Sequence, residues 1–224
     1  MKKSVLSVAV ALVALTAGAF TPNTKWPYMY EDFTEGTLYR GKDYSVARFN
    51  IHYMGNVLHY ISENDDKIYS AQGNEVDSVV IDGKKFVLTQ IDGKMMEVTA
   101  QSGSDMVMRL DYADFDAVQK GNSGAYGASL NSASTRNLSS LEIAGMNNPQ
   151  HGLLLQNKKD GISLGVRSRY YLRIGKLDIE ANKKSLEMII PADRTDEWKQ
   201  FLKKNKIKWK KTESLEKILD FFQE

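Results

Sequence analysis

Two of the chain's three histidines, His52 and His59, flank a Gly55-Asn56 dipeptide. A two-residue hairpin turn at that dipeptide pairs Met54 with Val57, Tyr53 with Leu58 and His52 with His59, setting two imidazoles side by side on one strand face. Paired imidazoles are the beginning of a zinc or copper site, which needs further ligands. Arg48 and Asn50 fall on the same strand face, which argues for a hydrated polar surface. His151 has no evident partner.

Other groupings carry chemistry less well. Gly121-Asn122-Ser123-Gly124 has the outline of a serine-protease nucleophile loop, but Ala125 follows where glycine is usual and His52 lacks the setting of that family's base. Asp111, Asp114 and Asp116 do not alternate as calcium-loop ligands do, and they read as the polar exit from a strand. The chain has no phosphate loop, dinucleotide fingerprint or H-E-x-x-H motif, so no cofactor is predicted. Asp111 acting with His52 or His59 is the constellation a hydrolase reading would need.

Two regions have the composition of binding surfaces. WKQFLKKNKIKWKK, residues 198–211, contains Lys199, Lys203, Lys204, Lys206, Lys208, Lys210 and Lys211 with two tryptophans. The acidic residues Asp193, Asp196, Glu197, Glu213, Glu216 and Asp220 bracket it, which favours a solvated helix face over nucleic-acid binding, with anionic glycan or lipid headgroups as the other reading. Aromatic residues crowd the N-terminal third: Trp26, Tyr28, Tyr30, Tyr39, Tyr44, Tyr53, Tyr60 and Tyr69. Strand packing accounts for many of them, and any that reach the surface together form a binding face.

The bulk properties set the context. Met1-Lys2-Lys3, the apolar run Val5 to Leu15 and Ala17-Gly18-Ala19 have the form of a signal peptide, too short to span a membrane. Its removal near Ala19 takes away Lys2 and Lys3 and leaves basic and acidic side chains balanced, which lacks the positive field of a nucleic-acid binder. No comparable apolar run follows. The chain has no cysteine, which excludes disulfides, thiolate metal sites and a cysteine nucleophile. With 42% apolar residues it can build its stability from packing alone.

Residues 20–112 are the expected antiparallel β-rich body, and from Thr37 to Tyr112 the dominant period is two. Met106, Met108, Leu110 and Tyr112 share one face opposite Val107, and Ala47, Phe49, Ile51 and Tyr53 make a second such face. The tetrapeptide Ile-Asp-Gly-Lys occurs at 81–84 and again at 91–94, where Asp-Gly suits type I′ turns. Residues 113–150 are rich in Ser, Ala, Asn and Gly and read as a linker or long loop. Residues 151–224 hold a hairpin turning at Gly175-Lys176 and about three short helices. Asn182, then Asp193 or Thr195, then Thr212 are the expected caps, and Leu215, Ile218, Leu219 and Phe222 the last buried stripe. Ile207 and Trp209 alternate as in a short strand.

This order of segments, with VDSVVIDGKKFV, SGAYGASLNSAST, YYLRIGKLDIEANKKSLEMIIP and EWKQFLKKNKIKWKKTESLEKILDFF, resembles a group of exported Bacteroidota proteins of unassigned function. The resemblance implies a periplasmic or envelope location and carries over no functional residue. The sequence therefore predicts an α+β chain, a mainly antiparallel β-meander as sheet, sandwich or open barrel, followed by a hairpin and short helices. It points to a non-enzymatic binding or assembly component contacting an envelope protein or glycan, with Trp26, Tyr28, Tyr30, Lys203, Lys204, Lys206, Lys208 and Lys210 as binding candidates. A periplasmic hydrolase is the alternative.

Overall fold

The computed structural model describes residues 27–61, 67–71, 76–114 and 165–223. Ten strands form one curled, wholly antiparallel sheet: β1 Thr34–Arg40, β2 Asp43–His52, β3 Val57–Ile61, β4 Ile68–Ser70, β5 Ser78–Ile81, β6 Lys84–Leu88, β7 Met95–Ser102, β8 Asp105–Ala113, β9 Val166–Ile174 and β10 Leu177–Glu180. Their order is β10-β9-β8-β7-β6-β5-β1-β2-β3-β4, so two meanders, β1 to β4 and β5 to β10, meet where β5 pairs with β1. The signal-like residues 1–19, Ser123, His151 and nearly all of the segment 113–150 lie outside the described residues.

Alternation decides what each face buries. On one face, Phe49, Ile51, Leu58, Val79, Ile81, Phe86 and Met95 form one cluster. Farther along that face, Val107 and Leu172 form the floor for three helices: α1 Lys183–Glu187, α2 Thr195–Asn205 and α3 Thr212–Gln223. Met96, Met108, Leu110 and Tyr171 pack on the opposite face, with Met106 and Tyr112 against them, as the period of β8 predicts. Val107 and Met108 are both fully buried, so β8 is covered on its two sides. Burying each such side chain contributes about 1.5–3 kcal/mol.

Turn chemistry explains the connections. Asp82 and Gly83 both have positive φ and close the two-residue β5–β6 hairpin. Asp92 and Gly93 have the same signs but sit in a wider loop, since β6 and β7 pair only as far as Leu88↔Met95. Thr89 holds that loop by donating from its amide to the Lys94 carbonyl at 3.0 Å. Among the described residues, no helix is long and apolar enough to cross a membrane.

The helices differ from expectation in three details. Asn182 accepts from the Ser185 amide at 2.8 Å and caps α1, but neither Asp193 nor Thr195 caps α2, because a 3-10 turn, Ala192–Arg194, runs directly into it. Phe221 is buried more deeply than Phe222, because α3 turns it toward Trp198 and Phe201. Ile207 and Trp209 belong to the turn after α2 and pack onto the helical cluster.

Gly36 marks the seam between the meanders. A Cβ there would lie 2.5 Å from the Val80 carbonyl oxygen and 3.1 Å from the Phe49 ring. Gly36→Ala therefore has to move backbone, and we expect a loss of about 1–3 kcal/mol in urea unfolding. A loss under about 0.5 kcal/mol would mean that β1 and β5 separate without cost.

Candidate functional site

The histidine pair lies inside the protein. β2 and β3 register as His52↔Val57, Ile51↔Leu58 and Asn50↔His59, two residues away from the pairing a two-residue turn requires, because the loop spans Tyr53 to Asn56. An even shift keeps every side chain on its expected face, so the rings still meet, as diagonal neighbours with centroids 5.3 Å apart. Around the histidines the face is not hydrated, with Asn50, His52 and His59 0%, 2% and 4% exposed, whereas Arg48 farther along it is exposed. Residues 27–33 cover it.

That cover is pinned by polar groups. The Met29 amide donates to the Ile51 carbonyl and the Tyr53 amide to the Pro27 carbonyl, both at 2.9 Å, continuing the β1 side of the ladder past a bulge. The Asn50 amide group holds the bulge, donating to the carbonyls of Tyr30 at 2.9 Å and Asp32 at 3.1 Å and accepting from the Tyr30 amide at 3.1 Å. Tyr28 packs edge-on to His52, and its hydroxyl is hydrogen-bonded to His59 Nδ1 at 3.0 Å. His52 Nδ1 accepts from the Met54 amide at 3.2 Å. Both Nδ1 atoms are thus engaged within the cluster, which fastens a strap. No group of three or more His, Cys, Asp or Glu is placed to hold a metal among the described residues.

The structure does not bring Asp111 to either histidine. Asp111 pairs with Arg109 on β8 at 3.1 Å, and β7, β6, β5 and β1 intervene before β2. Asp114 is held by Arg167 at 2.6 Å; Asp116 lies outside the described residues, as does Trp26.

Among the tyrosines, Tyr53 is buried, Tyr60 stacks on Tyr69, which is 40% exposed, and two further pairs contrast. Tyr28 and Tyr30 are partly buried, and the Tyr30 hydroxyl reaches the Ile81 carbonyl at 3.5 Å, so neither forms an open binding face. Burial pushes the Tyr28 phenol up to about 12, and burial followed by the charges of Glu97 and Asp82 takes Tyr30 to about 12. Tyr39 and Tyr44, opposite each other across the β1–β2 hairpin, are 41% and 72% exposed, with Val46 beside them at 51%.

The lysine run is split by the helix it sits on. Lys203 and Lys206 line a depression of about 410 Å³ together with Lys183, Lys199, Leu202, Ile207 and Trp209. Lys204 faces the other way, toward Glu197, Lys217 and Asp220. Lys208 and Lys210 are exposed in the turn and line neither depression. Lys199, Leu202, Lys203 and Lys206 share one face of α2 and its cap, and nothing in the sequence signalled that Lys183 from α1 joins them.

The tyrosine environment makes stability sensitive to alkali. A phenol whose folded pKa lies near 12 against an ordinary value near 10 keeps its proton in the folded chain after the unfolded chain has lost it. That contribution is complete below pH about 10 and disappears as pH rises through about 12. Denaturant midpoints should fall across this window, and less steeply in Tyr28→Phe; equal slopes would show that Tyr28 ionises as freely folded as unfolded.

No family model matches this chain, and no curated protein or solved structure gives a match.

Proposed function

We propose that this chain is an exported envelope component that binds a protein partner, taking up an extended segment of that partner along the outer edge of β2. Export rests on residues 1–19, with their basic start, apolar run and Ala17-Gly18-Ala19.

The observation that carries the binding reading is the uneven pairing of β2. Its inner half, Arg48–His52, pairs with β3, whereas no described strand pairs with the outer edge of residues 43–47. Arg40↔Asp43 closes a two-residue hairpin, so the backbone groups of Asp43 and Ser45 point to β1 and those of Tyr44 and Val46 point outward. The two residues whose outward backbone groups meet no described strand also carry the exposed side chains. A strand added here would gain ladder hydrogen bonds from the backbone and apolar contact from Tyr39, Tyr44 and Val46. Tyrosine contributes large contact area at low entropy cost, which is why it anchors protein interfaces.

The test is crosslinking of the tagged protein in its native envelope, with mass spectrometry of both the partner and the chain's own N-terminus. A chain beginning just after Ala19 is expected; one beginning at Met1 overturns export. Val46→Pro removes an outward N–H and leaves the β1 ladder intact, so the fold should survive. One hydrogen bond contributes about 0.5–1.5 kcal/mol, which predicts up to about a tenfold loss of partner yield, with Val46→Thr retaining it. Equal yields from Val46→Pro and the parent, or recovery of a glycan alone, would overturn strand addition.

A further inference from the structure

We infer that the depression between α1 and the C-terminal end of α2 is a site for an organic phosphate, a phosphate ester carried on a ring or an acyl stem. This inference is independent of export and of the β2 edge, since it stands on a different part of the molecule.

The site is made by two helices and the turn between α2 and α3. Lys199, Lys203 and Lys206 lie at i, i+4 and i+7 on one face of α2 and its cap, and Lys183 approaches from α1. Like charges at such spacing repel, so a helix face holding three of them is unfavourable unless acids or a ligand intervene. Acids answer only part of the charge. Lys199 pairs with Asp196 at 2.9 Å and Lys183 with Glu187 at 3.6 Å, while Lys203 and Lys206 make no ion pair with a described residue. The helix C-terminus supplies about half a negative charge, which leaves roughly one and a half positive charges over the depression. A phosphate monoester, with a charge of about −1.5 to −2 near neutral pH, matches that residue of charge better than a carboxylate does.

The floor fixes the rest of the ligand. Leu202, Ile207 and half-buried Trp209 line the same depression as the lysines, so an anion with an apolar or ring portion would cover them. The depression, about 410 Å³, is open to solvent rather than enclosed, so it would cover one side of such a ligand.

Lys206 also sets the turn that follows α2. It ends α2 in the left-handed region, φ 48° and ψ 54°, with its amide bonded to the Leu202 carbonyl. Glycine is the usual residue at such a position because it avoids the Cβ crowding that a lysine meets there. Lys206 lines the depression, as do Ile207 and Trp209, which follow it in the turn.

These facts give an experiment in which structure and binding move in opposite directions. Trp209 fluorescence, with Trp209→Phe as the blank, is followed during titration with glucose 6-phosphate in one arm and with phosphatidylglycerol vesicles, against phosphatidylcholine vesicles, in the other. Saturation by the sugar phosphate assigns a soluble ligand, and a response to the anionic vesicles alone assigns a lipid headgroup; either supports the site. Lys206→Gly should raise the melting temperature yet weaken binding about tenfold, and Lys203→Gln should weaken it similarly. Lys204→Gln with Lys217→Gln, on the far side of α2, should leave affinity within about twofold. No response in either arm, or an equal loss in the far-side variant, would overturn the inference.

Discussion

Four backbone pairs between β1 and β5, from Gly36↔Ile81 to Tyr39↔Ser78, hold the two meanders in one sheet. Without them, β1 to β4 and β5 to β10 would each be a ribbon with an exposed apolar face. The seam needs close approach on two sides, since Phe49 lies over Gly36 while the Val80 carbonyl lies against it. Phe49, Ile51, Val79, Ile81 and Phe86 can then form one cluster across the seam from strands far apart in sequence. Asp77 reinforces it, its amide donating to the Tyr39 carbonyl at 3.0 Å.

A second join determines where the helices can sit. β8 and β9 pair over eight positions, from Met106↔Arg173 to Ala113↔Val166, bringing Leu172 beside Val107 as one apolar floor. Arg173 then grips Asp178 through two hydrogen bonds, 2.6 and 2.9 Å long, and donates to the Leu88 carbonyl. Asp178 also accepts from the Gln90 amide at 2.9 Å. The Asp178 side chain is 1% exposed, so its charge is tolerable only with these partners complete. The network therefore fixes the β9–β10 hairpin against the β6–β7 loop, and α3 comes to rest on β7 and β8. Hydroxyls and amides locate that helix at both ends, Thr212 meeting Thr99 and Gln223 meeting Ser102. Thr99 is available because the β7–β8 register shifts between Val98 and Ala100.

Period-two alternation made the strand faces legible, since Met106, Met108 and Leu110 needed only their spacing to be assigned together. The Asp82-Gly83 turn was legible for the same kind of reason, its positive φ angles being local chemistry. Register around Gly55-Asn56 was not, because both residues do have positive φ while the ladder stops two residues earlier on the β2 side. Burial of Asn50, His52 and His59 was hidden too: it depends on residues 27–33 folding across β2, a contact about twenty residues away that polar composition argues against. The lysines were visible as a run, but dividing them between two depressions required the phase of α2 and the position of α1.

The treatment of sheet edges ties the fold to its surfaces. A long bare edge invites unwanted pairing, and proteins shorten or cover such edges. Here the terminal strands are short, with three residues in β4 and four in β10, and α1 packs beside β10. Residues 43–47 of β2 have none of these protections among the described residues, and they carry Tyr44 and Val46 where a charge would discourage association. The only charged residue in that stretch is Asp43, which sits against the turn. Tyr69 on three-residue β4 is also 40% exposed, so what separates residues 43–47 from the terminal strands among the described residues is the length of edge that meets no described strand, and exposing Tyr44 and Val46 along it brings no gain in packing.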